Sequence, residues 1–199
     1  MEERMQNKNH PAKGSKIAVE PIKAIKDIKA LKKILADKPR DLCLFTMGIN
    51  TNLRASDLLS ITVGQVAMLQ PGEEFTLKER KTGKARRITI NNGVYSAIQK
   101  YLEAVSADDK EFLFRSQREA VLTVPSLSRL VKGWCELVNL KGNYASHSLR
   151  KTWGYHQRVT HNVGIPELMV CLNHSSQRQT LEYLCIQPEE IKSVYLNEI

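Results

Sequence analysis

Residues 146–160 read SHSLRKTWGYHQRVT, and residues 172–184 read LNHSSQRQTLEYL. Taken as a helix, the first stretch puts His147 and Arg150, three residues apart, on one face near its N-terminal end. That end presents free N–H groups and the positive pole of the helix dipole, so it favours an anion. The Arg150 guanidinium is a fork that can hold two oxygens of one anion. On its own, His-x-x-Arg is a common spacing that also describes a surface arginine in an ion pair. Tyr183, within the apolar run LEYLCI, reads in isolation as a tyrosine at the edge of a core.

Outward from these stretches the chain is mostly helical. Residues 1–20 are polar, with Pro11 and Gly14 and no apolar period, and are expected to form a flexible tail. Pro21 opens IKAIKDIKALKKILAD, where Ile22, Ile25, Ile28, Leu31 and Leu35 recur at helical spacing. The missing N–H of Pro21 suits a first helical turn. Lys23, Lys26, Lys29, Lys32 and Lys33 cover the opposite arc, either as a solvated face or as phosphate contacts. A second helix is expected from Arg40 to about Ile49, and another from Arg54 to about Ser60 with Asn52 as a cap. VAMLQ (66–70), EEFTLKE (73–79) and ARRITI (85–90) alternate or are β-branched, with Pro71-Gly72 and Thr82-Gly83 as turns. They predict a small three-stranded antiparallel sheet with Lys81 near a hairpin tip. Helices then return at about 93–105, 125–138, 146–160, 165–172, 176–185 and 188–198. The fold class is therefore mainly α with one small sheet.

Composition narrows the function. The chain has 199 residues, enough for one domain with a real core, and a formal net charge of +9. That excess points to a polyanionic partner without distinguishing DNA, RNA or a membrane surface. No apolar run approaches the roughly 18 residues that span a bilayer, and the N-terminus lacks a signal core. Cys43, Cys135, Cys171 and Cys185 have no C-x-x-C spacing, which argues against a zinc site or a disulfide framework. Cys43, Cys171 and Cys185 lie among apolar residues and are expected as buried free thiols in a reducing, cytoplasmic setting. No carboxylate cluster suits a two-metal nuclease, and no cofactor is called for.

Two upstream segments complete the pattern. Leu53-Arg54-Ala55-Ser56-Asp57-Leu58-Leu59 carries an acid three residues after its arginine, and Lys81-Thr82-Gly83-Lys84 sits at the expected hairpin. With His147-x-x-Arg150, Leu172-Asn173-His174 and Thr180-x-x-Tyr183, their order resembles the tyrosine recombinase (phage integrase) family from about residue 22 to the end. The resemblance implies the DNA breaking–rejoining catalytic fold and names Arg54, Lys81, His147, Arg150, His174 and Tyr183 as catalytic. Arg54 and Arg150, assisted by His174, would clamp the phosphate, where fixed donors are each worth on the order of 10²–10³ in rate. Tyr183 would attack the phosphorus to give a 3′-phosphotyrosyl enzyme and a free 5′-hydroxyl, which another strand can reverse without ATP or metal. A free tyrosine, with pKa about 10, is only about 10⁻³ ionised at pH 7. Cations would lower that value, and His147 would be the base or orienting group. Lys81 would protonate the departing 5′-oxygen. Asp57 would position Arg54. Lys84, Arg86, Arg87 and Lys151 are backbone-contact candidates, the first three equally readable as an exposed hairpin face.

Asn173 stands where the family has glycine; Asn tolerates the left-handed conformation, so the turn should survive. Residues 21–199 would then be the catalytic domain without the usual N-terminal DNA-clamping domain, either a fragment or a minimal recombinase. The resemblance also implies double-stranded DNA as partner, a tetramer on DNA and a monomer without it, no membrane, and a prokaryotic, phage or mobile-element origin with a nucleoid-associated, cytoplasmic location. The apolar residues Ile191, Val194, Tyr195 and Ile199 suit a tail helix that packs either on its own domain or on a neighbouring protomer. Two rivals are a catalytically silent DNA-binding regulator of the same fold and a type IB topoisomerase-like relaxing enzyme.

Overall fold

Pro39 in its first turn starts α2 (Pro39–Asn50), and Cys43, Leu44, Phe45, Thr46, Met47 and Gly48 are all buried in it. A helix apolar on nearly every side belongs in the middle of a domain, and α2 packs on both α4 (Asn92–Glu103) and α6 (Ser146–Val159). The computed structural model describes residues 19–116, 121–184 and 195–198. Its remaining helices are α1 (Ile25–Ile34), α3 (Ala55–Leu58), α5 (Val124–Leu137), α7 (Ile165–Leu172) and α8 (Gln177–Leu184). One antiparallel hairpin joins β1 (Glu74–Lys78) to β2 (Ala85–Thr89), pairing Phe75 with Ile88 and Leu77 with Arg86.

The starts of the helices follow local chemistry. Asn91 caps α4 by accepting the Val94 N–H at 2.9 Å, and Thr123 caps α5 through Ser126. In α6 the Ser148 hydroxyl accepts the Ala145 N–H at 3.1 Å, and Thr152 takes the Ile22 N–H at 2.8 Å. The α2–α6 crossing is close because position 48 is glycine: a Cβ there would stand 3.0 Å from Leu149 Cβ. Phe45 meets Trp134 edge-on, with ring centroids 6.1 Å apart, inside the main core. A second, small core of Leu168, Leu172 and Leu184 holds α7 and α8 against α6, with Trp153 and Tyr183 at its margin.

Several expectations need correction. The sheet has two strands, not three. VAMLQ follows a 3₁₀ turn at Val63–Gln65, which is fixed by Gln65 accepting the Thr62 N–H and by the Gly64 N–H donating to Asp109. Val66 is buried and Met68 is 86% exposed, so alternation of residue type did not become alternation of facing. Pro21 does not open α1. Ile22 is instead clasped on α6 by Thr152 and His156, the helix starts three residues later, and Ile25 faces solvent. Asn52 is no cap: it adopts a left-handed conformation (φ 54°) and donates Nδ2 to the Cys171 carbonyl at 2.7 Å. Cys43 and Cys135 are buried free thiols, but Cys171 lies on the exposed side of α7; Cys185 is outside the described residues. The tail helix expected at 188–198 also falls mostly outside them. Among the described residues no helix is long and apolar enough to cross a membrane.

Candidate active site

The last carbonyls of α7 gather the arginines. Helix C-termini leave their carbonyls unpaired and carry partial negative charge. Leu172 O accepts Arg150 Nη2 at 2.9 Å, while Cys171 O accepts Arg86 Nη2 at 3.0 Å as well as Asn52. The helix can end there because Asn173 takes the left-handed conformation (φ 55°, ψ 48°), with His174 N–H bonded back to Met169 O. The turn anticipated for Asn173 is the one observed.

Arg150 is 3% exposed, and among the described residues its Nε has no hydrogen-bond partner. Burial, then the positive charge of Arg54 and Arg86, pull its pKa down to about 10 against the pull of Tyr183 and Glu79. Arg54, at the start of α3, lies 2.9 Å from Glu79 Oε2 and 3.9 Å from Asp57 Oδ2. Fully buried Asp57 also accepts the Arg80 N–H at 2.9 Å, so it ties Arg54's helix to the hairpin.

Tyr183 on α8 lies between two imidazoles, with ring centroids 5.3 Å from His147 and 5.2 Å from His174. Gly154 allows that approach, since a Cβ there would meet Leu184 Cδ2 at 2.9 Å. His174 Nδ1 is held by Thr180 Oγ1 at 3.0 Å, which orients the ring. The pKa of His174 is lowered by burial and by Arg150 and Arg54. That of His147 falls to about 4, through loss of hydration and then the charges of Arg150, Lys151, Arg54 and His174. Both imidazoles are therefore neutral at pH 7, able to accept a proton or share one.

Sequence-predicted residues Arg54, His147, Arg150, His174 and Tyr183 thus converge, with Asp57 behind Arg54. Lys151 joins them: it is 8% exposed, and its Nζ sits 5.5 Å above the Tyr183 ring. Lys81 is exposed in the hairpin loop and takes part in none of the ring, ion-pair or hydrogen-bond contacts that unite the others among the described residues. Lys84 and Arg87 are exposed on the same hairpin, whereas Arg86 is turned inward onto Glu79 and the Cys171 carbonyl. Glu79 is a site residue not anticipated from the sequence, and Thr180, known only as part of the Thr180-x-x-Tyr183 spacing, acquires a role as the anchor of His174. The strand alternation carried a signal for the burial of Glu79, though not for its partners: Phe75, Leu77 and Glu79 share the buried face of β1 and its extension. Arg54, Arg86, Arg150 and Lys151 outnumber Asp57 and Glu79 at this point, so the site is built to receive an anion.

The sequence pattern that defines the phage integrase family matches residues 22–190. The probable integrase/recombinase YoeC of Bacillus subtilis (strain 168) is 33% identical over 184 residues, covering 89% of this chain and 95% of that protein. Tyrosine recombinase XerC of Caldanaerobacter subterraneus is 30% identical over 159 residues, covering 78% of this chain and 44% of that one. In solved structures, the XerH site-specific recombinase bound to a palindromic difH substrate superposes with a TM-score of 0.73 at 15% identity, over 94% of this chain and 55% of XerH. The chain thus spans about half the length of XerC and XerH.

Proposed function

The chain belongs to the phage integrase family, and on that premise we propose that it is a tyrosine-class site-specific DNA recombinase that cuts and rejoins strands through a 3′-phosphotyrosyl intermediate. One observation carries the assignment of roles: both imidazoles flank the ring of Tyr183, the buried Arg150 guanidinium is close enough to feel its charge, and Arg54 acts on both imidazoles and on Arg150. A phosphodiester resists attack because its oxygens repel a nucleophile, and the transition state adds charge to those oxygens. Arg54 and Arg150 answer that charge, and Arg150 Nε is a buried donor without a partner among the described residues. Tyr183 Oη bonds to phosphorus as the P–O5′ bond breaks. The phenolic proton passes to neutral His147, and the leaving 5′-oxygen takes a proton from Lys81 once the hairpin closes on DNA. Asp57 holds Arg54 in place. In the reverse step a 5′-hydroxyl of another strand displaces the tyrosine, so the bond energy is retained.

Double-stranded DNA is the partner this reading requires, and relatives of bacterial origin and a DNA-bound neighbour support it. The reading extends to a tetramer assembled on DNA, monomers off it, exchange of the C-terminal tail between protomers, and work in the cytoplasm on the nucleoid. Lys84 and Arg87, both exposed, are its backbone contacts. A nicked duplex from which the 5′-fragment diffuses away tests the central claim. The wild-type chain should accumulate a covalent adduct on Tyr183, and Tyr183→Phe should bind the same duplex and form none. An adduct with the Phe variant would refute it.

A further inference from the structure

Glu79 buries a full charge at the base of the hairpin loop, where it is 3% exposed. Its Oε2 accepts from Thr82 Oγ1 at 2.7 Å and stands 2.9 Å from Arg54 Nη1, while its Oε1 is 3.2 Å from Arg86 Nη1. Its backbone closes the loop in both directions: its N–H donates to Lys84 O at 2.9 Å, and its carbonyl accepts the Gly83 N–H at 2.8 Å. Lys81 lies in the middle of the loop closed in this way. Burial would push the Glu79 carboxyl up, but the hydrogen bonds from Thr82 and Arg86, with the close guanidinium of Arg54, hold it down at about 2. A buried ion pair is a weak stabiliser compared with an apolar seal of the same volume, so a charge placed here asks for a reason other than stability.

We propose that Glu79 is a positioning residue for strand cleavage, one carboxylate that fixes the Arg54 guanidinium and the Lys81 loop in a single register. The group that clamps the phosphate and the group that protonates the leaving oxygen then reach the DNA together. This rests on the recombinase reading given above. Asp57 reinforces the same joint, because it holds the Arg80 N–H next to Lys81 and faces Arg54. Arg54 keeps further N–H donors for phosphate, since Glu79 engages it through Nη1.

Single-turnover cleavage by the full chain, on two nicked duplexes, tests the proposal. One duplex carries the ordinary 5′-oxygen at the scissile bond. In the other that oxygen is sulfur: Tyr183 Oη bonds to phosphorus, the P–S bond breaks, and the thiolate leaves without needing a proton. Glu79→Gln keeps the shape of the side chain and removes its charge. It should bind DNA within about twofold of wild type and cleave the oxygen substrate about 10²-fold more slowly. On the sulfur substrate at least about tenfold of that loss should return, as it should for Lys81→Met, because a leaving group that needs no proton bypasses the misplaced lysine. A purely structural defect would slow both substrates alike, and that result, or a wild-type rate on the oxygen substrate, overturns the proposal. Should Glu79→Gln fail to fold by circular dichroism, Glu79→Asp is read by the same ratio, because it keeps the charge but is one methylene too short to serve both arginines. If the wild-type chain forms no adduct with either duplex, the recombinase reading itself fails, and this inference goes with it.

Discussion

Arg150 carries its charge into a position that is 3% exposed, and it is held there by the Leu172 carbonyl at the negative end of α7. Loss of hydration, together with the neighbouring cations, governs how the site responds to acid. The pKa of His147 in the folded chain, about 4, lies below the roughly 6.5 of a free histidine. The unfolded chain therefore binds the extra proton first. The stability this residue contributes is complete above about pH 6.5 and is lost as pH falls toward 4. Glu79, held at about 2, adds a second loss between about pH 4.5 and 2, on the order of 3 kcal/mol. Urea unfolding at a series of pH values should show both declines; Glu79→Gln should flatten the lower one and leave the upper. Lys151 allows a further check. A lysine serving a DNA phosphate contributes about one to the slope of log affinity against log salt. Its place above the Tyr183 ring instead predicts that Lys151→Met keeps the wild-type slope and forms adduct more slowly. Arg54, His147, Arg150, His174 and Tyr183 were legible only as a set, because their short patterns, each common alone, follow one another in the order that resembles the phage integrase family. Glu79 was not, because its partners Arg54 and Arg86 meet it only after the hairpin has folded onto α3.

Among the elements, the α2–α6 crossing sets the site most directly, since Leu149 in contact with Gly48 is the neighbour of Arg150. Gly48→Ala would put a methyl group 3.0 Å from Leu149 Cβ, an atom that cannot rotate away. Overpacking of this kind costs about 1–3 kcal/mol. Urea denaturation should show that loss, with slower adduct formation as Arg150 is displaced; unchanged stability would mean the helices move apart freely. The long helices α2, α4, α5 and α6 lie within about two residues of the ranges expected from the sequence. The departures fall in short stretches. VAMLQ has a strand's composition, yet Gln65 folding back on Thr62 and the pull of Asp109 on Gly64 are side-chain and long-range events that no local period encodes. Asn52 looks like a helix cap in sequence and becomes instead a donor to Cys171, a partner 119 residues away.

For the molecule as a whole, a net charge of +9 predicts affinity for DNA that falls steeply with salt, with a slope near −0.9 for each phosphate neutralised. Binding titrations at several salt concentrations would measure it, and a flat dependence would leave the basic surface without a role. The division into a large core around α2 and a satellite of Leu168, Leu172 and Leu184 has another outcome. Segments with few buried apolar contacts open first, at a fraction of the global unfolding energy. Leu168→Ala, at about 2–5 kcal/mol, should exceed what so small a cluster can supply and let α7 and α8 exchange their amide protons for deuterium while α2 and α6 stay protected. The phenol that would join covalently to DNA is thus mounted on the portion of the protein least expensive to detach, and any loosening of α7 also releases the Leu172 and Cys171 carbonyls that hold Arg150 and Arg86.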